Sequence, residues 1–562
     1  MKRFLWWLAA PFILAGILWG VWFLAAMAWS GGEWVATHEF LVLGQRWFFP
    51  GGADLLHATA PGYLLLIAWA MLGAAVATDH DFEDNNPYVV TAAVVVCLAC
   101  GVQVVRGIND NAKDEGRGYA DATVFMVRDP AHAPSFIADL TRESDGGTGR
   151  CELVGRHDVT GCVSRGDLPT DWEPRVVSIA GATFQMKTNS PSAGNTDLRD
   201  DTVTYLYRGA GDVRVSAVRD GKNNKPLHSV VEWDGRGAPA SCAFEGQYAL
   251  DKAFNGKWSR NLRDLIAGEY PHLIYDDEDI WGYCDGSEPK VVIPVTRQVA
   301  SRQRTVLRPA GVLVVQGREG HVRLSHRSRV SAGELPGPAY PITLVAKQRQ
   351  MSAWAAGERF HNRGGFGFEP TTATTQLGNA SDFLLRSRAD GRIYRVSPLV
   401  SRGSDSQQFV AYSVMPADEV ADGRLNTQRI YVLDDNDPRI VTLTRMENRI
   451  KTYLSADPGF YPAGGRVVEF LPLDAANWQA YGEVNGTVKY VFTVPVDETK
   501  RITVLNVADG QPVADAGAAS PCADFTKATR EQLRECAFKA LEEDRRRAGE
   551  SPAPAPSPSP SG

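Results

Sequence analysis

The stretch FLWWLAAPFILAGILWGVWFLAAMA, residues 4–28, contains no charged side chain. At a rise of about 1.5 Å per residue, a helix of this length exceeds the roughly 30 Å hydrocarbon core of a bilayer. Two further apolar stretches without charged residues follow, at 60–78 and 88–105. We therefore predict a membrane domain at residues 1–106 that contains three transmembrane helices, one from each stretch.

The longer part of the chain follows these stretches and has an ordinary globular composition. Across all 562 residues, 44% are hydrophobic and 22% are charged. The formal net charge of −7 provides no basic surface of the kind that binds nucleic acid, which argues against nucleic-acid partners. The predicted fold class is a polytopic α-helical membrane anchor of three transmembrane helices, joined to a large extracytoplasmic α+β region of two or three domains.

The predicted orientation depends on the charges that flank the apolar stretches. Lys2 and Arg3 favour a cytoplasmic N-terminus, and three crossings then place the chain after Arg106 outside the membrane. Arg46 and Lys113 on the outer side favour the opposite orientation, but large domains translocate largely regardless of their charge. We expect a multi-pass plasma-membrane protein of a bacterial cell envelope, with the lipid bilayer and other envelope proteins as partners.

Cysteine spacing favours an oxidising compartment for the large region. Its six cysteines form three couples close in sequence, which predicts a disulfide within each couple. Six cysteines allow fifteen connectivities, and we choose the pairing that closes the shortest loops. No couple has the C-x₂-C spacing of a zinc site. The candidate disulfide cysteines are Cys151 with Cys162, Cys242 with Cys284, and Cys522 with Cys536.

Pattern changes along the large region suggest its domain boundaries. We predict a β-rich extracytoplasmic domain at 107–240, an α+β module at 241–320, and an α+β domain at 321–510. A charged C-terminal helix at 511–548 precedes a disordered Pro/Ser/Ala tail at 549–562, which has too few apolar residues to fold.

Residues 202–207 and 213–218 flank a glycine-rich turn, which predicts a β-hairpin. Residues 176–186 are predicted as a strand, and apolar spacing predicts helices at 257–269 and 439–454. A further helix is predicted at 345–358, and further strands at 122–127, 291–299, 311–316, 409–414, 428–433, 466–471, 489–494 and 501–507.

Two acidic runs supply oxygen ligands of the kind that calcium prefers. The run at 276–279 lacks the D-x-D-x-D-G order with a distal glutamate, so a solvated loop is the competing interpretation. The run at 434–438 resembles, over five residues, the calcium-binding interdomain linkers of cadherins, and an Asx-rich turn is the competing interpretation there. No other cofactor is expected. The calcium candidates are Asp276, Asp277, Asp279, Asp434, Asp435 and Asp437.

Four aromatic residues between the first two apolar stretches are candidates for the membrane interface, where aromatic rings are favoured. These residues are Trp34, Trp47, Phe48 and Phe49. They would also provide a docking surface for a membrane partner.

No motif in the sequence specifies a reaction, so the catalytic residues are unknown. A histidine can act as the general base of a hydrolase, and His321, His326 and His361 are candidates for that role. No G-x-S-x-G or H-E-x-x-H motif accompanies them. We predict an envelope binding or scaffold protein, part of a surface or membrane complex, rather than an enzyme. The alternatives are an extracytoplasmic hydrolase whose His, Asp and Ser residues converge from distant segments, and a sensor that signals through a membrane partner.

Overall fold

A computed structural model describes much of the chain after the first apolar stretch. The described residues are 59–77, 87–108, 116, 118–119, 122–129, 163–169, 171–173, 175, 177–189, 196–235, 237–301, 304–355, 367–370, 382–403, 408–434, 443–454, 459–473, 476–485 and 487–507. The first apolar stretch and the predicted C-terminal helix and tail lie outside these residues.

The described residues form six α-helices and twenty-two β-strands. The helices are α1 (Ala60–Ala77), α2 (Pro87–Ile108), α3 (Ile179–Thr188), α4 (Leu262–Glu269), α5 (Ile342–Met351) and α6 (Leu443–Leu454). The strands are β1 (Thr123–Val127), β2 (Val163–Arg165), β3 (Thr196–Leu198), β4 (Thr204–Gly209), β5 (Asp212–Gly221), β6 (Lys225–Trp233), β7 (Ala240–Ala243), β8 (Trp281–Asp285), β9 (Glu288–Ser301), β10 (Arg304–Arg318), β11 (His321–Arg327), β12 (Arg329–Val330), β13 (Phe368–Pro370), β14 (Phe383–Arg386), β15 (Ile393–Ser401), β16 (Phe409–Pro416), β17 (Val420–Ala421), β18 (Gln428–Val432), β19 (Gly465–Pro472), β20 (Asn477–Val484), β21 (Thr487–Pro495) and β22 (Thr503–Asn506).

The expected three-helix membrane anchor is wrong. The structure is mostly β-sheet, with 44% strand and 26% helix. Helices α1 and α2 occupy the second and third apolar stretches and pack against each other, yet no helix in the described part of the chain is long and apolar enough to cross a membrane.

Strands from distant parts of the chain share a seven-stranded sheet, with the order β13-β15-β16-β18-β1-β2 and β14 paired with β15. Strand β1 runs parallel to β18, and Thr123 pairs with Gln428. This sheet therefore joins the predicted 107–240 and 321–510 regions. Four other sheets are the five-stranded β3–β7 sheet, the four-stranded β8–β11 sheet, the four-stranded β19–β22 sheet and the two-stranded β12–β17 sheet.

The seven-stranded sheet is covered on both faces, because side chains alternate along its strands. In β16, Ala411 and Met415 belong to a core shared with the β8–β11 sheet and α5. Tyr412 and Val414 belong to a core shared with the β19–β22 sheet and α6. In that second core, Trp478 stacks on Phe409 with ring centroids 5.6 Å apart. The five-stranded sheet is likewise covered by two cores, one of which includes α3.

The hairpin predicted from residues 202–218 is confirmed as β4 paired antiparallel with β5. Its register pairs Tyr207 with Val213, and Gly211 has φ +77° in the connecting turn. A side chain at this position would be strained, since positive φ favours glycine. The local glycine-rich signal therefore predicted this turn.

The strand predicted at 176–186 is wrong, because α3 begins at Ile179. Ser178 precedes it in extended conformation, and its Oγ accepts a hydrogen bond from the Gly181 backbone N at 2.8 Å. This N-cap satisfies a backbone donor that a helix start otherwise leaves unpaired. The β-branched residues favoured a strand, but the cap and the packing of Ala182 and Met186 favour a helix.

Candidate functional site

A cavity of about 200 Å³ lies where the β3–β7, β8–β11, β19–β22 and seven-stranded sheets approach one another. Most of its walls are apolar, but two arginines and three buried carboxylates also line it. The charged and hydrogen-bonding residues of its lining include Arg175, Tyr205, Asp279, Asp382, Arg395 and Glu469. Ligand sites in proteins commonly combine apolar walls with a few convergent polar groups in this way.

Asp382 is the polar group of the cavity whose burial is least offset by hydrogen bonds. Its side chain is only 9% exposed, and neither carboxylate oxygen accepts a hydrogen bond from any residue that the structure describes. The Oδ2 atom lies 3.5 Å from Nη1 of Arg349 and 3.9 Å from Nη1 of Arg395. These distances allow charge attraction but exceed the 2.7–3.2 Å of a normal hydrogen bond.

Arg395 extends from β15 into the cavity wall. Its Nε atom is buried and has no hydrogen-bond partner among the described residues. Burial lowers the pKa of its guanidinium, and the nearby Asp382 carboxylate opposes that effect. Arg395 and Asp382 are therefore neighbouring groups of opposite charge, each with unused hydrogen-bonding capacity.

Glu469 enters the cavity from an irregular point of β19. The β19–β20 register shifts between Val468 and Leu471, and Glu469 has φ +54°, a conformation that is uncommon for residues other than glycine. Its carboxylate accepts hydrogen bonds from the Ile179 backbone N and from the Tyr205 hydroxyl, the latter at 2.5 Å. Burial raises the pKa of Glu469 to about 7.

Arg175 closes another side of the cavity, next to two tyrosines. Its guanidinium carbon lies 3.7 Å from the centre of the Tyr205 ring, within cation–π distance. The guanidinium donates to the Tyr207 hydroxyl at 3.3 Å and to the Leu384 carbonyl. Arg175 is thus held in position by side chains and backbone from two different sheets.

Asp279, a calcium candidate, also lines the cavity. Its Oδ1 accepts a hydrogen bond from the Ile342 backbone N at 2.5 Å, and its Oδ2 accepts one from the Thr343 hydroxyl at 2.7 Å. It therefore satisfies donors at the start of α5, where a negative charge is favoured. Burial raises the pKa of Asp279 to about 6.

The other acidic candidates lie apart from the cavity. Asp276 accepts a hydrogen bond from the Glu278 backbone N, and Asp277 forms ion pairs with Arg199 and Arg263. Asp434 lies 3.7 Å from Arg128, while Asp435 and Asp437 fall outside the described residues. In the part of the chain that the structure describes, no group of three or more His, Cys, Asp or Glu could hold a metal ion. Calcium binding stays a prediction.

Cys242 and Cys284 form a disulfide that joins β7 to β8, with an S–S distance of 2.10 Å. This is one of the three couples expected from the sequence. The other four candidate cysteines, Cys151, Cys162, Cys522 and Cys536, lie outside the described residues. The four aromatic candidates for the membrane interface, Trp34, Trp47, Phe48 and Phe49, also lie outside them.

The histidines do not assemble a hydrolase site in the described part of the chain. His321 and His326 both lie on β11, and a ring nitrogen of His326 lies 2.7 Å from the Ala310 carbonyl. His361 lies outside the described residues. No His, Ser or Cys is among the described residues that line the cavity.

Sequence reasoning missed most of the cavity residues, although some carry a recognisable signal. Glu469 interrupts the apolar run of β19, and Arg395 stands among the buried residues of β15. A charged residue inside a buried strand is rare unless it is paired, so each position could have been singled out. Asp382 precedes β14 and offers no comparable signal.

Comparisons with protein-family models, with curated proteins and with solved structures found no match to this chain. Functional inference therefore starts from the cavity itself. Its buried charges can orient a polar molecule, and its two carboxylates with raised pKa values can exchange protons near neutral pH.

Proposed function

We propose that this protein is an extracytoplasmic binding protein that takes a small polar molecule into the cavity. The observation that carries this proposal is Asp382, a buried carboxylate that accepts no hydrogen bond from the described residues. A buried charge without hydrogen bonds costs several kcal/mol. A bound molecule that donates to Asp382 would offset this cost.

The charges in the cavity favour binding over a purely structural role. Replacing buried ion pairs by well-packed apolar residues is often neutral or even stabilising. Arg395 and Asp382 do not form a hydrogen bond with each other, so they contribute less to stability than a well-formed buried pair. Their arrangement suits a site that is completed by a ligand.

The Cys242–Cys284 disulfide supports the proposed compartment, since disulfides persist mainly outside the cytosol. The expected protein partners in the cell envelope stay a prediction. A volume of about 200 Å³ is below the usual 300–1,000 Å³ of sites for drug-sized molecules, which favours a small ligand.

Thermal unfolding of the full-length protein tests the proposal. Amino acids, carboxylates, amines and sugars are added separately as probes. We expect at least one class to raise Tm, since a ligand at 100 times its Kd stabilises the folded state by about 2.7 kcal/mol. Asp382→Asn should weaken the response. Asp285→Asn, which alters an exposed aspartate paired with Lys290, should keep it.

The proposal fails if no class raises the Tm of the unaltered protein. It also fails if Asp382→Asn responds as strongly as the unaltered protein. The first outcome needs no variant, so it remains decisive even if Asp382→Asn does not fold.

An acid–base hydrolase is a second candidate function, favoured by the raised pKa values of Glu469 and Asp279 in one cavity. Both carboxylates already accept hydrogen bonds at the starts of α3 and α5, so a structural role also accounts for them. Incubation with small esters, amides and glycosides, followed by NMR, separates the functions. A hydrolase forms product that Glu469→Gln abolishes, whereas a binding protein forms none.

A further inference from the structure

We propose that the ligand of the cavity is zwitterionic, a small molecule that carries both a carboxylate and a protonated amine, such as a free amino acid. This inference rests on the proposed binding function and specifies the class of ligand. It follows from the unused hydrogen-bonding groups, from the balance of buried charge and from the apolar residues of the walls.

The unused groups are an acceptor and a donor that lie side by side. Asp382 has two buried carboxylate oxygens without hydrogen bonds from the described residues, and Arg395 has a buried Nε–H in the same state. Their nearest charged atoms are 3.9 Å apart. An amine placed against Asp382 and a carboxylate placed against Arg395 would therefore belong to one compact molecule.

The other buried charged groups of the wall are already engaged. Glu469 accepts hydrogen bonds from the Ile179 backbone N and the Tyr205 hydroxyl, and Asp279 accepts two at the start of α5. Arg175 donates to Tyr207 and to the Leu384 carbonyl. A ligand would therefore form its new hydrogen bonds mainly with Asp382 and Arg395.

The balance of charge favours a ligand with no net charge. The buried charged groups at the cavity are three carboxylates, Asp279, Asp382 and Glu469, and three arginines, Arg175, Arg395 and the Arg349 that lies beside Asp382, so they balance when ionised. The fourth carboxylate of the lining, Glu278, is exposed to solvent. A ligand with one net charge would leave that charge buried without compensation, which is costly. A zwitterion adds one charge of each sign.

A zwitterion also suits this pair better than an uncharged polyol. An amine on Asp382 and a carboxylate on Arg395 each bring opposite charges into contact in a buried site, where charge attraction is stronger than in water, and an uncharged polyol brings none. The remaining walls would accept an aliphatic side chain, because Ile179, Val203, Ile280 and Leu384 line them.

Isothermal titration calorimetry of the full-length protein at pH 8 tests the inference. Each of the twenty common L-amino acids is titrated, and the tightest binder is compared with two analogues. One analogue lacks the amine, and the other lacks the carboxylate; for leucine these are 4-methylpentanoate and 3-methylbutylamine. We expect each analogue to bind at least tenfold more weakly than the amino acid.

Two variants test whether Asp382 binds the amine of the ligand and Arg395 binds its carboxylate. Asp382→Asn should bind the amino acid and the amine-free analogue with similar affinity. Arg395→Gln should bind the amino acid and the carboxylate-free analogue with similar affinity. This crossed pattern depends on position, and a general loss of stability would not produce it.

The possible failures are distinguishable. If an analogue binds as tightly as the amino acid, or if only a sugar or a singly charged compound binds, the zwitterion inference is overturned and cavity binding stands. If no probe of any class binds, both this inference and the proposed function are overturned. The analogue comparison uses the unaltered protein, so it does not depend on whether the variants fold.

Discussion

We expect Glu469→Gln to remove a large part of the pH dependence of stability between about pH 5 and 7. The buried carboxyl has a pKa of about 7 in the folded protein, against 4.5 as its ordinary value. Between these values the folded state keeps the proton and the unfolded state releases it. The free energy of unfolding therefore falls as the pH rises through this range, and the loss is complete above pH 7.

The magnitude follows from the two pKa values. Each pKa unit corresponds to about 1.4 kcal/mol, so the change from 4.5 to about 7 amounts to about 3 kcal/mol for this group. Glutamine carries no charge at any pH, so this contribution disappears in Glu469→Gln. Asp279 acts at lower pH, since its pKa is raised from 3.8 to about 6, and its contribution cancels when the two proteins are compared.

Urea unfolding followed by tryptophan fluorescence, repeated at intervals from pH 5 to pH 8, measures this difference. Unaltered protein should lose stability relative to Glu469→Gln as the pH rises to about 7, and the difference should then level off. Glu498→Gln serves as the control, because Glu498 is a surface residue that pairs with Arg445. The reasoning is refuted if Glu469→Gln and unaltered protein keep parallel profiles, or if their difference changes in the opposite direction.

Three further predictions concern the stability of the fold. Replacing both Cys242 and Cys284 by Ala should destabilise the protein by about 4 kcal/mol, from the loop entropy of a 42-residue separation, and reduction of the unaltered protein should lower its Tm similarly. Trp478→Ala should cost about 3–5 kcal/mol in urea unfolding, because this fully buried ring joins the seven-stranded sheet to the β19–β22 sheet. Ser178→Ala should cost about 1 kcal/mol by the same assay through loss of the α3 cap, whereas Ser178→Gly should cost less.

Much of the secondary structure of the described region followed from local pattern. The strands predicted at 409–414, 466–471 and 489–494 lie within β16, β19 and β21. The helix predicted at 257–269 begins later, at Leu262, because the Asn261 side chain accepts hydrogen bonds from the backbone N of the second and third helical residues. Local pattern is informative in these segments because capping and alternation act over only a few residues.

The membrane anchor was mispredicted because apolar composition does not by itself specify whether a helix crosses a membrane. Residues 60–77 are apolar and helical, yet no helix among the described residues is long and apolar enough to cross a membrane. The strand predicted at 176–186 failed for a related reason. Its β-branched residues suit both an extended segment and a buried helix, and the Ser178 cap favoured the helix.

Local sequence was enough to predict the β4–β5 hairpin, ten of the twenty-two strands of the described region, and Cys242 with Cys284 as disulfide candidates, because each depends on residues near one another or on one residue type. The cavity, by contrast, exists only in the folded protein. Its charged residues come from segments between Arg175 and Glu469 that meet through the packing of four sheets. Their burial and their pairing are properties of that packing, and no local pattern encodes which charges become neighbours.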